Sequence, residues 1–89
     1  MVQLIHATYK ENWPSIEKYG IEPNGYTYFI TNLTNSGEII PGMEKECNVF
    51  IYLNEEALKN HVFVKFDNEY VTRDIISPKY FKIVVFVPS

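Results

Sequence analysis

Leu4-Ile5-His6-Ala7-Thr8, followed at once by Asn12-Trp13-Pro14-Ser15-Ile16-Glu17-Lys18-Tyr19-Gly20, passes from a strand pattern to a helix pattern within one short stretch. Residues 2–7 read as a strand. Residues 10–19 carry Trp13, Ile16 and Tyr19 at helical spacing. Pro14 falls early enough to sit in the first turn, where a missing N–H is harmless, and Gly20 is a natural stop. Side chains two apart on a strand leave the same face, so His6 and Thr8 travel together. A core face seldom chooses that pair, whereas a ligand lying across the strand would use both.

Working outward, Pro23-Asn24-Gly25 signals a turn. Tyr26-Thr27-Tyr28-Phe29-Ile30 is a strand of β-forming residues. Residues 32–43 hold Asn, Ser, two Gly and a Pro and read as a long polar loop. Asn48-Val49-Phe50-Ile51-Tyr52-Leu53 is the clearest central strand. Asn54 then caps a short helix whose first turn carries Glu55 and Glu56, facing the positive end of the dipole. Asn60-His61 closes it. Residues 62–66 and Glu69-Tyr70-Val71-Thr72 read as two strands joined at Asp67-Asn68, and residues 81–87 as a last one. The expected fold is α+β: about six strands in a mixed β-sheet with two short helices, all in one domain, residues 1–89.

Composition agrees with one small core. The chain has 89 residues, 46% hydrophobic and 16% aromatic, with a formal net charge of −3. It has 8 basic residues, and Arg73 is its sole arginine, so no basic stripe of the kind a broad nucleic-acid footprint needs is visible. Cys47 stands alone, which excludes an internal disulfide and suits a reduced, cytoplasmic compartment. No long apolar run suggests a membrane span, and His6 and His61 lack a third partner at metal-ligand spacing.

Candidate chemistry rests on few groups. His6 reads either as a backbone-bonded histidine of the fold or, with Thr8 beside it, as half of a polar contact pair. Glu69 opens a strand, where an inward carboxylate would need a partner or a ligand, while an outward one would be merely solvated. Tyr28, like Tyr26, Phe29, Tyr52 and Tyr70, could stack on a flat ring or simply cover the sheet. Nothing marks Ser15, Ser36, Ser77 or Cys47 as an activated nucleophile, and no Gly-rich phosphate loop is present.

Taken in order, His6-Ala7-Thr8, Asn12-Trp13-Pro14-Ser15-Ile16 and Gly20-Ile21 resemble the H-G-T…N-x-x-S-I-x-x-x-G-L opening of ADP-ribosyltransferase-fold proteins. The likeness is to RNA 2'-phosphotransferases of the KptA type. Ile39-Ile40-Pro41-Gly42-Met43 with Cys47, Asn48 to Leu53 with Ala57-Leu58, Phe66-Asp67-Asn68 with Val71-Thr72, and Pro78-Lys79-Tyr80-Phe81 extend it from about Leu4 to Phe81. The resemblance implies an ADP-ribosyltransferase-like domain, the C-terminal lobe of such an enzyme, with NAD as co-substrate. It also implies transfer of ADP-ribose, with His6 and Thr8 on the dinucleotide. Asn68-Glu69-Tyr70 is similar to the N-E-Y stretch of the poly-ADP-ribose polymerase branch, which implies a catalytic Glu69 beside His6, with Tyr28 as the ring against nicotinamide. The chain departs from the arginine-rich family pattern: Tyr26-Thr27-Tyr28-Phe29-Ile30 stands where R-x-H-x-H is usual, and Glu44 where an Arg follows Gly-Met. With the acidic balance, this disfavours RNA as acceptor and leaves a protein or small nucleotide. It also keeps open a catalytically inactive module that binds a nucleotide or a partner.

Overall fold

The computed structural model describes residues 3–31, 47–66 and 69–87. Among these residues six strands form one sheet, antiparallel at every seam rather than mixed: β1 (Ile5–Thr8), β2 (Thr27–Ile30), β3 (Val49–Leu53), β4 (Val64–Phe66), β5 (Glu69–Thr72) and β6 (Phe81–Phe86). Their order across the sheet is β4-β5-β2-β1-β3-β6. Two helices, α1 (Trp13–Tyr19) and α2 (Glu55–Asn60), complete the α+β domain. The expected polar loop over residues 32–43 and the turn at Asp67-Asn68 lie outside the described residues.

Alternation sorts the sheet into two faces. Leu4 of the lead-in, Phe29 of β2 and Val49, Ile51 and Leu53 of β3 are buried on one, together with Ile16 of α1, Ala57 of α2, and Ile21, Ile76 and Tyr80. Both helices therefore add to the core on this side. Trp13 extends it by stacking near Phe81 and edge-on to Phe86, with ring centres 6.3 and 5.4 Å apart. The opposite face carries Tyr28 and Val71 as one cross-strand pair and Tyr52 and Ile83 as another.

Two local signals act as the residue types dictate. Asn54 accepts the Ala57 N–H through its side chain at 3.2 Å and starts α2. Gly20 ends α1 with φ +86°, its N–H bonded to the Ile16 carbonyl at 2.8 Å. A Cβ there would lie 2.3 Å from the Ile76 carbonyl oxygen, so only glycine fits. That close approach belongs to a bridge in which Ile21 and Ile76 exchange backbone hydrogen bonds of 2.9 and 3.0 Å.

Most element ends shift slightly from the pattern. The helix expected over residues 10–19 divides into a 3-10 turn, Lys10–Asn12, and α1. At the junction the Asn12 side-chain amide donates to Thr8 Oγ1 at 3.0 Å, and Asn12 makes no side-chain cap to α1. β1 starts later than expected and runs through Thr8, since β1 is defined by pairing with β3 over His6↔Ile51, Ala7↔Phe50 and Thr8↔Val49.

Candidate active-site cleft

β1 is zipped to β3 along its four residues, but meets β2 at one pair, Ile5↔Ile30. Past Ile5, the β2-facing backbone of β1 has no ladder partner, and the two strands part. The gap is floored by β1 and walled by β2 on one side and the start of α1 on the other. It forms a cleft of about 960 Å³, lined among others by His6, Thr8, Asn12, Ser15, Tyr26, Tyr28 and Glu69. That volume lies at the upper end of the usual range for small-molecule and cofactor sites.

His6 stands at the fork. Its Nδ1 lies 3.2 Å from the Tyr28 carbonyl oxygen, and its ring centre is 5.6 Å from that of Phe29. A carbonyl only accepts, so Nδ1 carries the proton and the neutral ring keeps its lone pair on Nε2. Burial holds the imidazole below its ordinary pKa, opposed by the bond to the Tyr28 carbonyl, which favours the charged form. The ring is thus a fixed neutral acceptor at neutral pH.

Thr8 is buried at 5% exposure and accepts the Asn12 amide, while its carbonyl accepts the Asn48 N–H at 3.0 Å. Asn48 Oδ1 in turn accepts the Lys10 N–H at 2.8 Å, so the cleft end of β1 is tied on both sides of the 3-10 turn. The Thr8 hydroxyl retains its own proton to donate.

His6 and Thr8 do share a face, yet it is the core-side one, across from Ile51 and Val49, rather than a face set apart from the core. The mixture of polar and apolar side chains is tolerated because the separation of β2 brings the cleft to that end of the core. Tyr28 and Glu69 leave the opposite face, since Ile5 pairs with Ile30 and Ile30 with Glu69. All four residues line the cleft, but as two pairs meeting through the parted seam rather than as one row.

Other expected groups fall elsewhere. His61 follows α2, with Nδ1 3.0 Å from Asp74 Oδ2 and its ring edge-on to Tyr80. Burial pushes the Cys47 thiol up, against the pull of a hydrogen bond to Tyr9, which keeps the sulfur protonated and poorly nucleophilic. Among the described residues no three His, Cys, Asp or Glu gather as a metal site, and no helix is long and apolar enough to cross a membrane. Ser15 and Asn12 are cleft residues that the strand pattern alone does not single out; their signal lies in the N-x-x-S-I spacing of the resemblance.

Two relatives match nearly the full length of this chain. "Putative tRNA 2'-phosphotransferase" of Schizosaccharomyces pombe is 29% identical over 90 residues, which is 92% of this chain and 25% of that protein. "tRNA 2'-phosphotransferase 1" of Bos taurus is 29% identical over 90 residues, 91% of this chain and 35% of that protein. The chain thus spans a quarter to about a third of the length of these curated relatives. Residues 1–74 match the model of "RNA 2'-phosphotransferase, Tpt1 / KptA family", and the chain belongs to that family.

Proposed function

We propose that the cleft binds NAD and that the chain transfers ADP-ribose from NAD to an acceptor. In this reading residues 1–89 are one ADP-ribosyltransferase-like domain, the C-terminal lobe of a KptA-type protein acting in the cytoplasm. The observation that carries it is the parted seam between β1 and β2, which sets His6, Thr8, Tyr28 and Glu69 around one cavity.

The residues fit a dinucleotide by their chemistry. His6 Nε2 accepts from a ribose hydroxyl and the Thr8 hydroxyl donates to a ligand oxygen. Tyr28, 55% exposed, offers a ring to the flat nicotinamide. Breaking the bond between nicotinamide and ribose sends its electron pair to nicotinamide and leaves positive charge on the sugar. The Glu69 carboxylate stabilises that charge. The acceptor oxygen then bonds to the same sugar carbon, and the proton of a hydroxyl acceptor passes to solvent water. No strong protein nucleophile is needed for this transfer.

Calorimetric titration with NAD tests the reading. The wild-type chain should bind, His6→Ala should weaken binding by about tenfold or more, the loss of one well-placed hydrogen bond or more. Glu69→Gln should keep binding while abolishing nicotinamide release. Failure of NAD to move amide signals at His6 and Thr8 would refute it. A second reading, an inactive binding module, is favoured by Tyr26-Thr27-Tyr28-Phe29-Ile30 lacking any cation. NAD binding without nicotinamide release would select it.

A further inference from the structure

The two outer edges of the sheet are unequal. At one end β4 is three residues long, Val64–Phe66, with Lys65 at its middle. Short length and a central lysine both keep an edge strand from pairing with another chain. At the other end β6 runs for six residues, Phe81–Phe86, and its sole charge is Lys82, near the start. Among the described residues no strand pairs with its outer edge.

The inner seam fixes which backbone groups that edge offers. Val87 donates its N–H to the Asn48 carbonyl at 2.8 Å, in the same register that runs from Val49↔Phe86 to Tyr52↔Ile83. Antiparallel ladders alternate bonded and unbonded pairs, so residues 83, 85 and 87 turn their N–H and C=O towards β3. Val84 and Phe86 turn theirs outward. Lys82, left without a partner where the register shifts between Tyr52 and Leu53, continues that outward row. Side chains alternate as well. Val84 and Phe86 stand on the core face, opposite Ile51 and Val49, whereas Ile83 and Val85, 52% and 37% exposed, stand on the other.

We propose that the outer edge of β6 pairs with β6 of a second copy of this chain, antiparallel and centred on Val84, to make a two-fold dimer with one continuous sheet. In that register Val84 meets Val84 of the second copy, and Phe86 meets Lys82 in both halves. All three outward rows of N–H and C=O groups then find partners. Each lysine faces an aromatic ring and not the other lysine. On the exposed face Ile83 lies opposite Val85, twice. β6 carries no acid, and self-pairing needs none: lysine at one end and phenylalanine at the other make the strand complementary to itself. A register slid towards the C-terminus would bring in Pro88, which has no N–H to give. Pairing with the opposite edge of another copy would match six residues to three around Lys65, in a contact that does not close at two. No residue of β6 lines the cleft, so this contact stands apart from the NAD reading.

Sedimentation of the full chain from about 10 μM to about 1 mM, the span in which small interfaces assemble, tests the proposal together with amide exchange. The mass should rise from 10.4 kDa towards twice that and no further. The Val84 and Phe86 amides should exchange freely in the monomer and become protected as the dimer forms, while those of Val85 and Val87 stay protected throughout. Ile83→Lys with Val85→Lys sets like charges opposite one another at two places and should weaken association by about tenfold or more. Ile83→Lys with Val85→Glu sets opposite charges there and should recover most of that loss. A pairing displaced by two residues would set the two Glu side chains against each other and show no such rescue. Both variants alter exposed positions, and matching urea midpoints check that they fold alike. A mass that stays monomeric would overturn the proposal, as would growth beyond a dimer or equal association by the two variants. Protection of Val84 and Phe86 already in the monomer would mean that the chain covers its own edge, and would also overturn it. So would association that protects Val64 in place of Val84.

Discussion

β1 has two neighbours and is joined to them very differently. Toward β3 it makes four consecutive pairs, closing over Val49 and Ile51, both fully buried. Toward β2 it makes one, at Ile5, and then separates. The difference shows how a single strand can close a core along one edge and border an open cleft along the other. One side fills its hydrogen bonds with protein and packs apolar side chains. The other leaves backbone and side chains facing the cleft, and the polar pair His6 and Thr8 falls where that opening begins.

The sharpest way to test this division is to weaken the closed side. Ile51→Ala removes a fully buried side chain opposite His6 and should destabilise the fold by about 2–5 kcal/mol, read from the urea midpoint. For a domain of this size that is a large share of the total stability. A shift below about 1 kcal/mol would mean that the β1–β3 seam does not bear the load assigned to it. Thr8→Val sits at the border between the two sides. It keeps shape but deprives the Asn12 amide of its acceptor, and should cost about 1 kcal/mol. It should also weaken NAD binding, whereas Ile51→Ala should affect binding only through folding.

The smallest effect is on pH dependence. The folded-state pKa of His6 is lowered, so the unfolded chain binds the proton more readily. The stability that the neutral ring contributes is present above the unfolded value of about 6.5 and is lost as pH falls toward the folded value. Subtracting the stability profile of His6→Gln from that of the wild type should expose a term that declines below about pH 6.5. A flat difference would show the imidazole to be freely solvated.

Much of the fold could be read locally. Residues Val49 to Tyr52 of β3 are all β-branched or aromatic, Asn54 is followed by a helix that it caps, and Gly20 sits where the α1 end meets Ile76. Each depends on interactions within a few residues or on one backbone angle. The order of motifs likewise led to the family. What local pattern cannot carry is the sheet order and the parting of β1 from β2, because both depend on partners far along the chain. The same holds for the face of His6. Its alternation with Thr8 was plain, but whether their shared side looked onto the core or away from it is decided by Ile51 and Val49. The hydrogen bond between Arg73 and Tyr26, 47 residues apart, leaves no periodic trace at all.

The strand order has a kinetic consequence. Among the described residues two seams, β4–β5 and β1–β2, join strands consecutive in the chain, and α1 intervenes in the second; every other seam joins strands with further strands between them. Loop-closure entropy must be spent on those seams before burial rewards them. Among the described strands β4 and β5 lie closest in the chain, so their pairing closes the shortest loop. The forked strand that borders the cleft gains its shape only when β2 and β3 have both docked on it, so on refolding the full chain the β4–β5 pair should acquire protected amides before β1 does.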